Sequence, residues 1–117
     1  DHQKAGAALL RQLGYPEVAA IIDVHMTYPA FSPIACFNET DVVCLGDRLC
    51  KFDEYVGLEE RMNYIMDKFR DNKEAIRTIE ANKKKVAATM EELKDVLGKS
   101  VDALMAEHPI SEENWQI

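Results

Sequence analysis

The sequence lacks an excess of basic residues and contains no long apolar run. It has 14 lysine and arginine residues against 21 aspartate and glutamate residues, which gives a formal net charge of −7. Nucleic-acid backbones are bound by basic surfaces, so nucleic acid is not expected as a partner. No stretch approaches the roughly 20 apolar residues of a membrane-spanning helix, and no signal-peptide pattern is present. We therefore expect a cytoplasmic protein with no membrane partner.

Cysteine is also scarce. Cys36, Cys44 and Cys50 are an odd number without a disulfide framework, which favours reduced, mostly buried thiols in a cytosolic protein. A structural zinc site formed by the three cysteines and His25 is an alternative, but the cysteines lack the paired short spacing that is typical of such sites.

What remains is a sequence dominated by helical patterns. At 117 residues and 47% hydrophobic composition, the chain is long enough for one domain, residues 1–117, with its own core. Apolar spacing and helix-terminating residues predict an all-α bundle of about five to six helices, with no strand. The predicted helices cover residues 3–13, 16–26, a segment starting after Asn38, 58–70, 73–97 and 100–108, and residues 109–117 are expected to form an irregular tail.

Three residues that can bind metals fall on these predicted helices: His2, His25 and Asp47. His25 continues the apolar stripe of the second helix at residues 18, 21 and 22, which predicts that it faces the core. Asp47 lies within the apolar stretch 42–50, where an ionised carboxylate needs a counter-charge. A metal ion shared with the two imidazoles would supply that charge.

Mixed imidazole and carboxylate ligands suit Zn, Mn, Fe or Co better than calcium, which prefers oxygen ligands alone. The expected cofactor is a divalent metal ion: Mn, Fe, Co, Zn or Mg. Each residue also has a simpler interpretation. A single histidine on an apolar helix face is usually a core residue with a satisfied hydrogen bond. Asp47 could instead form an internal salt bridge with Arg48 or Arg61.

The order of several segments resembles the HD-domain family of metal-dependent phosphohydrolases, and within it a bacterial subgroup. Residues 2–10 (HQKAGAALL) and 13–19 (LGYPEVA), followed by Ile22 and His25, are similar to the middle of that domain. Residues 42–49 (VVCLGDRL) resemble the family's final-aspartate segment, and residues 56–61 (VGLEER) its C-terminal helices. The resemblance covers about residues 2–95.

The resemblance implies an HD-domain-like bundle in which His2 and His25 match the two intermediate histidine ligands and Asp47 matches the last aspartate. The family's early histidine and its adjacent His-Asp pair have no counterpart in this chain. The resemblance therefore implies an N-terminally truncated, C-terminal part of such a domain, with an incomplete or inactive site. No catalytic residue is assigned.

The function implied by the resemblance is hydrolysis of a phosphate ester in a nucleotide or related small molecule by a metal-activated hydroxide. Arg48 and Lys51, close to Asp47 in sequence, are weak candidates for contacting the substrate phosphate. A solvated or salt-bridged helix face is the favoured interpretation of these two residues. The alternative function is a non-enzymatic helical module that acts through partner contacts or as a homo-oligomer.

Overall fold

The computed structural model describes residues 2–28 and 30–109, and helices account for most of them. This confirms the all-α prediction. Among the described residues no helix is both long and apolar enough to cross a membrane. The predicted irregular tail falls largely on residues 110–117, outside the described part. The elements in chain order are α1 (His2–Gln12), α2 (Pro16–Ile22), a 3₁₀ turn (Ile34–Cys36), α3 (Glu39–Asp47), β1 (Cys50–Lys51), β2 (Glu54–Tyr55), α4 (Gly57–Lys68), α5 (Lys73–Leu97) and α6 (Val101–Glu107).

The backbone contacts divide the chain into two compact units, one ending at Asp47 and the other starting at Arg48. In the first unit α1 packs against α2 through very small side chains. Ala7 and Ala19 are completely buried. A Cβ atom on Gly6 would lie 3.4 Å from Cγ2 of Ile22, so the glycine permits a close approach of the two helices.

A buried carboxylate organises the loop between α2 and α3. Asp41 is completely buried near the start of α3. Its Oδ1 accepts hydrogen bonds from the Tyr28 hydroxyl (2.7 Å) and the Ser32 backbone N–H (2.8 Å), and its Oδ2 accepts one from the Asn38 N–H (3.0 Å). The rings of Phe31 and Phe37 stack within the same loop, with centroids 6.3 Å apart. The loop is therefore ordered by buried polar contacts as well as by aromatic packing.

The second unit consists of a short hairpin and three helices. β1 and β2 pair antiparallel, with Lys51 opposite Glu54. The Leu49 carbonyl closes the hairpin by accepting from the N–H groups of Val56 (3.0 Å) and Gly57 (2.9 Å). α4 packs against α5, and the buried apolar residues of this unit are Leu49, Met62 and Val86.

The ends of α5 and the start of α6 confirm the predicted boundaries. The Asn72 side chain accepts a hydrogen bond from the Ala75 N–H and caps α5. Gly98 ends this helix in the left-handed conformation, at φ 76°. Ser100 caps α6 in the same way as Asn72 caps α5. Lys83, which interrupts the apolar rhythm of α5, forms an ion pair with Glu59 of α4 at 2.7 Å.

The predicted second helix is too long. It ends at Ile22 instead of near residue 26, and His25 lies in a turn after the helix. Two causes act together. The β-branched residues of this segment are poor helix formers. In addition, the Met26 N–H donates to the Gln3 side chain at 2.9 Å, so it is not engaged in the helical pattern.

Two further expectations from the apolar pattern need correction. The stretch 42–50 is buried only in part: Cys44, Leu45, Arg48 and Leu49 are buried, whereas Val42 and Val43 are 58% and 41% exposed. Asp47 is partly buried at the last residue of α3. Val18, placed on the core-facing stripe, is 47% exposed. The hairpin at 50–55 was missed because strands of two residues are too short to show alternation.

The tight contact between α1 and α2 predicts that added volume destabilises the first unit. We expect Ala7→Leu to lower the free energy of unfolding by about 1–3 kcal/mol, because the close-packed site cannot accept a larger side chain. The matched control is Ala8→Leu at the exposed neighbouring position, which should change the stability by less than about 0.5 kcal/mol. Urea denaturation measures both. Equal effects of the two substitutions would contradict the packing described here.

The Asp41 network predicts a pH-dependent stability. Burial raises the pKa of Asp41, but the hydrogen bonds from Ser32, Tyr28 and Asn38 outweigh it, so the net pKa lies below the ordinary value. A lowered folded-state pKa stabilises the protein above the unfolded-state pKa of about 3.9, and this contribution is lost as the pH falls through the folded-state pKa.

Asp41→Ala should therefore cost about 2–4 kcal/mol at neutral pH, since it leaves three donors without their acceptor, and less at acid pH. Exposed Glu39 on the same helix is the control position, and Glu39→Ala should have little effect. Denaturation midpoints measured between neutral and acid pH test this. If Asp41→Ala lowered the stability equally at every pH, this would contradict an ionised Asp41 carboxylate that accepts the three hydrogen bonds.

Candidate metal centre

The structure brings two of the three predicted ligands together. The ring centroids of His2 and His25 are 5.5 Å apart, and the ring planes are inclined by 56°. Two imidazoles that share one metal ion through nitrogens at about 2.0–2.1 Å in tetrahedral geometry have their ring centroids roughly 5 Å apart. The observed separation is therefore close to that of a shared ion.

A hydrogen bond fixes which nitrogen of His25 carries a proton. Nδ1 of His25 contacts the backbone carbonyl oxygen of Ile22. A carbonyl oxygen only accepts, so Nδ1 is the donor and the lone pair of the neutral ring is on Nε2. A ligand histidine usually donates its second nitrogen to a carboxylate or carbonyl group, because this sets the tautomer and the ring orientation. His25 satisfies this condition.

Gln3 connects the two segments that carry the histidines. It directly follows His2 on α1, is 96% buried, and its Oε1 accepts the Met26 N–H at 2.9 Å. Met26 directly follows His25. A single side chain thus fastens the turn that carries His25 to the first turn of α1. Sequence analysis missed this role, although one signal was present: Gln3 is four residues before buried Ala7 and so lies on the same face of α1.

The carboxylate closest in sequence to His25 is already engaged. Asp23 Oδ1 is 2.8 Å from Lys4 Nζ, and its Oδ2 is 3.4 Å from Arg11. The hydrogen bond from Lys4, with the contribution of Arg11, lowers the pKa of Asp23 despite partial desolvation. Asp23 therefore connects the end of α2 to α1 through ion pairs, next to the turn that carries His25.

Asp47, the third predicted ligand, occupies a different setting. It ends α3 and is partly buried. Within residues 2–28 and 30–109, no group of three or more histidine, cysteine, aspartate or glutamate side chains is arranged to hold a metal ion. Asp47 therefore does not complete a three-ligand group with His2 and His25. The same finding covers the alternative zinc site of Cys36, Cys44, Cys50 and His25.

The two predicted phosphate-contacting residues belong to the second unit. Arg48 is 92% buried, and Lys51 is a half-buried residue of β1. Lys51 Nζ lies 4.4 Å from the centroid of the Tyr64 ring. The structure therefore does not present Arg48 as a solvated helix residue, and it places Lys51 beside an aromatic side chain.

Comparison of the chain with protein-family models, with curated proteins and with solved structures finds no match.

The paired imidazoles predict measurable binding of a divalent ion. We expect His2→Ala and His25→Ala each to weaken cobalt or zinc affinity by about 100-fold or more, which exceeds the roughly tenfold loss expected for the positioning variant Gln3→Ala. The control is His108→Ala, an exposed histidine of the second unit, which should leave the affinity unchanged. Competition with a chromophoric chelator gives the affinities. Equal losses at His108 and His25 would contradict a specific site.

Proposed function

We propose that this chain is part of an HD-type metal-dependent phosphohydrolase, and that His2 and His25 are ligands of its divalent ion. The substrate class would be a phosphate ester of a nucleotide or a related small molecule. The observation that supports the proposal is the His2–His25 ring pair, with centroids 5.5 Å apart and the Nδ1 atom of His25 donating to a backbone carbonyl. An HD-like bundle and a cytoplasmic location are part of the same proposal.

The residues of this chain would hold and orient the ion. The hydrogen bond to the Ile22 carbonyl directs Nε2 of His25 away from the backbone, and Gln3 keeps the turn against α1. A divalent ion bound there would supply Lewis-acid chemistry, since it activates water and neutralises phosphate charge. Two imidazoles alone are too few for a catalytic site, which typically uses at least three protein ligands.

The proposal therefore needs further ligands. Asp47 is one candidate, and it would have to join the histidine pair when metal binds. The family's early histidine and His-Asp pair would come from residues that precede Asp1 in a longer protein. The exposed side chains of Leu9 (55%) on α1 and of Leu13 (61%) directly after it fit this requirement, because neighbouring exposed apolar side chains are often covered by another segment or a partner.

The decisive experiment measures phosphate release by a chain extended upstream through a His-Asp pair. We expect turnover of a nucleotide phosphate ester with Mn, Co or Mg, and loss of at least about 100-fold in His25→Ala, because the ion would no longer be held. His108→Ala should remain active. Absence of turnover with every metal, or an upstream sequence without a His-Asp pair, would refute the proposal.

A second candidate function is a non-enzymatic helical module, which is favoured by the exposed apolar side chains around the α1–α2 connection. Leu9, Leu13, Tyr15 and Val18 are all about half exposed or more. Light scattering combined with metal analysis separates the two functions. A metal-free protein that self-associates tightly supports the module, whereas a metal-loaded monomer supports the hydrolase.

A further inference from the structure

The tip of the hairpin carries an exposed aromatic side chain on a strained backbone. Phe52, the first of the two residues between β1 and β2, is 86% exposed and has a φ of 55°. This position of a two-residue hairpin turn usually holds glycine, asparagine or aspartate, because other side chains are strained at positive φ. Backbone strain of this kind persists mainly at functional positions. The strained backbone and the exposed aromatic ring together favour a functional role for Phe52.

Positive charges surround a second ring next to Phe52. The Nζ atoms of Lys51 and Lys68 lie 4.4 and 4.5 Å from the centroid of the Tyr64 ring, and Cζ of Arg61 lies 6.0 Å from it. The Phe52 ring meets the Tyr64 ring edge-on at 6.3 Å. The hydrogen bond from Lys68 and the three positive charges lower the pKa of Tyr64. We call Lys51, Phe52, Arg61, Tyr64 and Lys68 the Phe52 surface.

Charges of both signs lie at the hairpin. Asp53 follows Phe52 at the tip, Glu54 is the register partner of Lys51, and both acidic residues line a cleft of about 400 Å³ together with Tyr55 and Asp102. Lys51 Nζ lies beside the Tyr64 ring. Among the described residues, no salt bridge involves Lys51 or Lys68. The Phe52 surface therefore groups three positive charges around one aromatic ring, with Asp53 and Glu54 next to it.

The form of this surface distinguishes between possible anionic partners. Small molecules bind in concave sites that bury most of the ligand, whereas Phe52 protrudes. Single-stranded nucleic acids stack bases on open aromatic faces, but ammonium groups already occupy positions close to the Tyr64 ring. Protein interfaces are depleted of lysine, which supplies two of the three cations here. Anionic lipid surfaces, in contrast, attract lysine and arginine without requiring shape complementarity, and they accept protruding aromatic rings.

We propose that the Phe52 surface binds the surface of an anionic phospholipid bilayer, with the Phe52 ring inserted at the headgroup level and Lys51, Arg61 and Lys68 facing lipid phosphates. This interaction is peripheral and does not depend on the proposed hydrolase function. The net charge of −7 does not prevent it. Charges farther away than about 8 Å are largely screened at physiological salt, so the three cations and the neighbouring carboxylates of Asp53 and Glu54 determine the charge at the contact.

Co-sedimentation of the full chain with vesicles tests the proposal. We expect binding to phosphatidylcholine vesicles that contain about 30% phosphatidylserine, little binding to pure phosphatidylcholine, and release by about 0.5 M NaCl. Lys51→Ala and Lys68→Ala should each weaken binding about fivefold. The matched control is Lys84→Ala on α5, an exposed lysine outside the surface, which should bind as the parent chain does.

Phe52→Asn separates binding from folding. Asparagine tolerates positive φ, so the midpoint of chemical denaturation should stay the same or rise, whereas vesicle binding should fall about tenfold. Three results would each overturn the proposal: no binding to either vesicle, an equal loss in Lys84→Ala, or undiminished binding of Phe52→Asn. Tighter binding to a single-stranded oligonucleotide or an acidic peptide than to the anionic vesicles would also overturn it and identify another partner class.

Discussion

The hydrogen bond between the Met26 N–H and the buried Gln3 side chain is the constraint on which the candidate site depends. α2 ends at Ile22, and the N–H groups of Asp23, Val24, His25 and Thr27 donate to backbone carbonyls in the turns that follow. The Met26 N–H donates instead to the Gln3 side chain, and this bond ties the turn to α1. The bond costs little solvation because the Met26 N–H satisfies the amide oxygen of the buried Gln3 side chain. It keeps His25, in the turn after α2, next to His2 in the first turn of α1, although the two residues are 23 positions apart in the sequence.

A similar principle operates in the rest of the first unit. The α1–α2 contact is made by glycine and alanine, which bring the helices close together but bury little apolar area. Buried polar side chains therefore hold the non-helical segments. Gln3 holds the turn after α2, and Asp41 holds the loop before α3. Because such contacts are directional, they define positions more sharply than apolar packing does.

Helix boundaries could be predicted from the sequence where neighbouring residues cap the helix. The candidate site could be predicted only in part. Gly98 and Ser100 mark the boundaries of α5 and α6 through caps formed by neighbouring residues. The early end of α2 depends on Gln3, which is 23 residues before Met26, and periodicity carries no information about such a contact. In the stretch 42–50, apolar composition likewise does not distinguish the exposed Val42 and Val43 from the buried residues around Asp47. The hairpin is too short to have a pattern, and the exposure of Phe52 at its tip could be seen only in the structure.

His2 and His25 are proposed to be ligands of the same ion. X-ray absorption spectroscopy of the zinc-loaded chain tests this claim most directly, since the outer-shell scattering counts the imidazoles bound to the metal. We predict two imidazoles at about 2.0–2.1 Å in the parent chain and one in His25→Ala. A spectrum with one imidazole or none in the parent chain, or one that His25→Ala leaves unchanged, would contradict it.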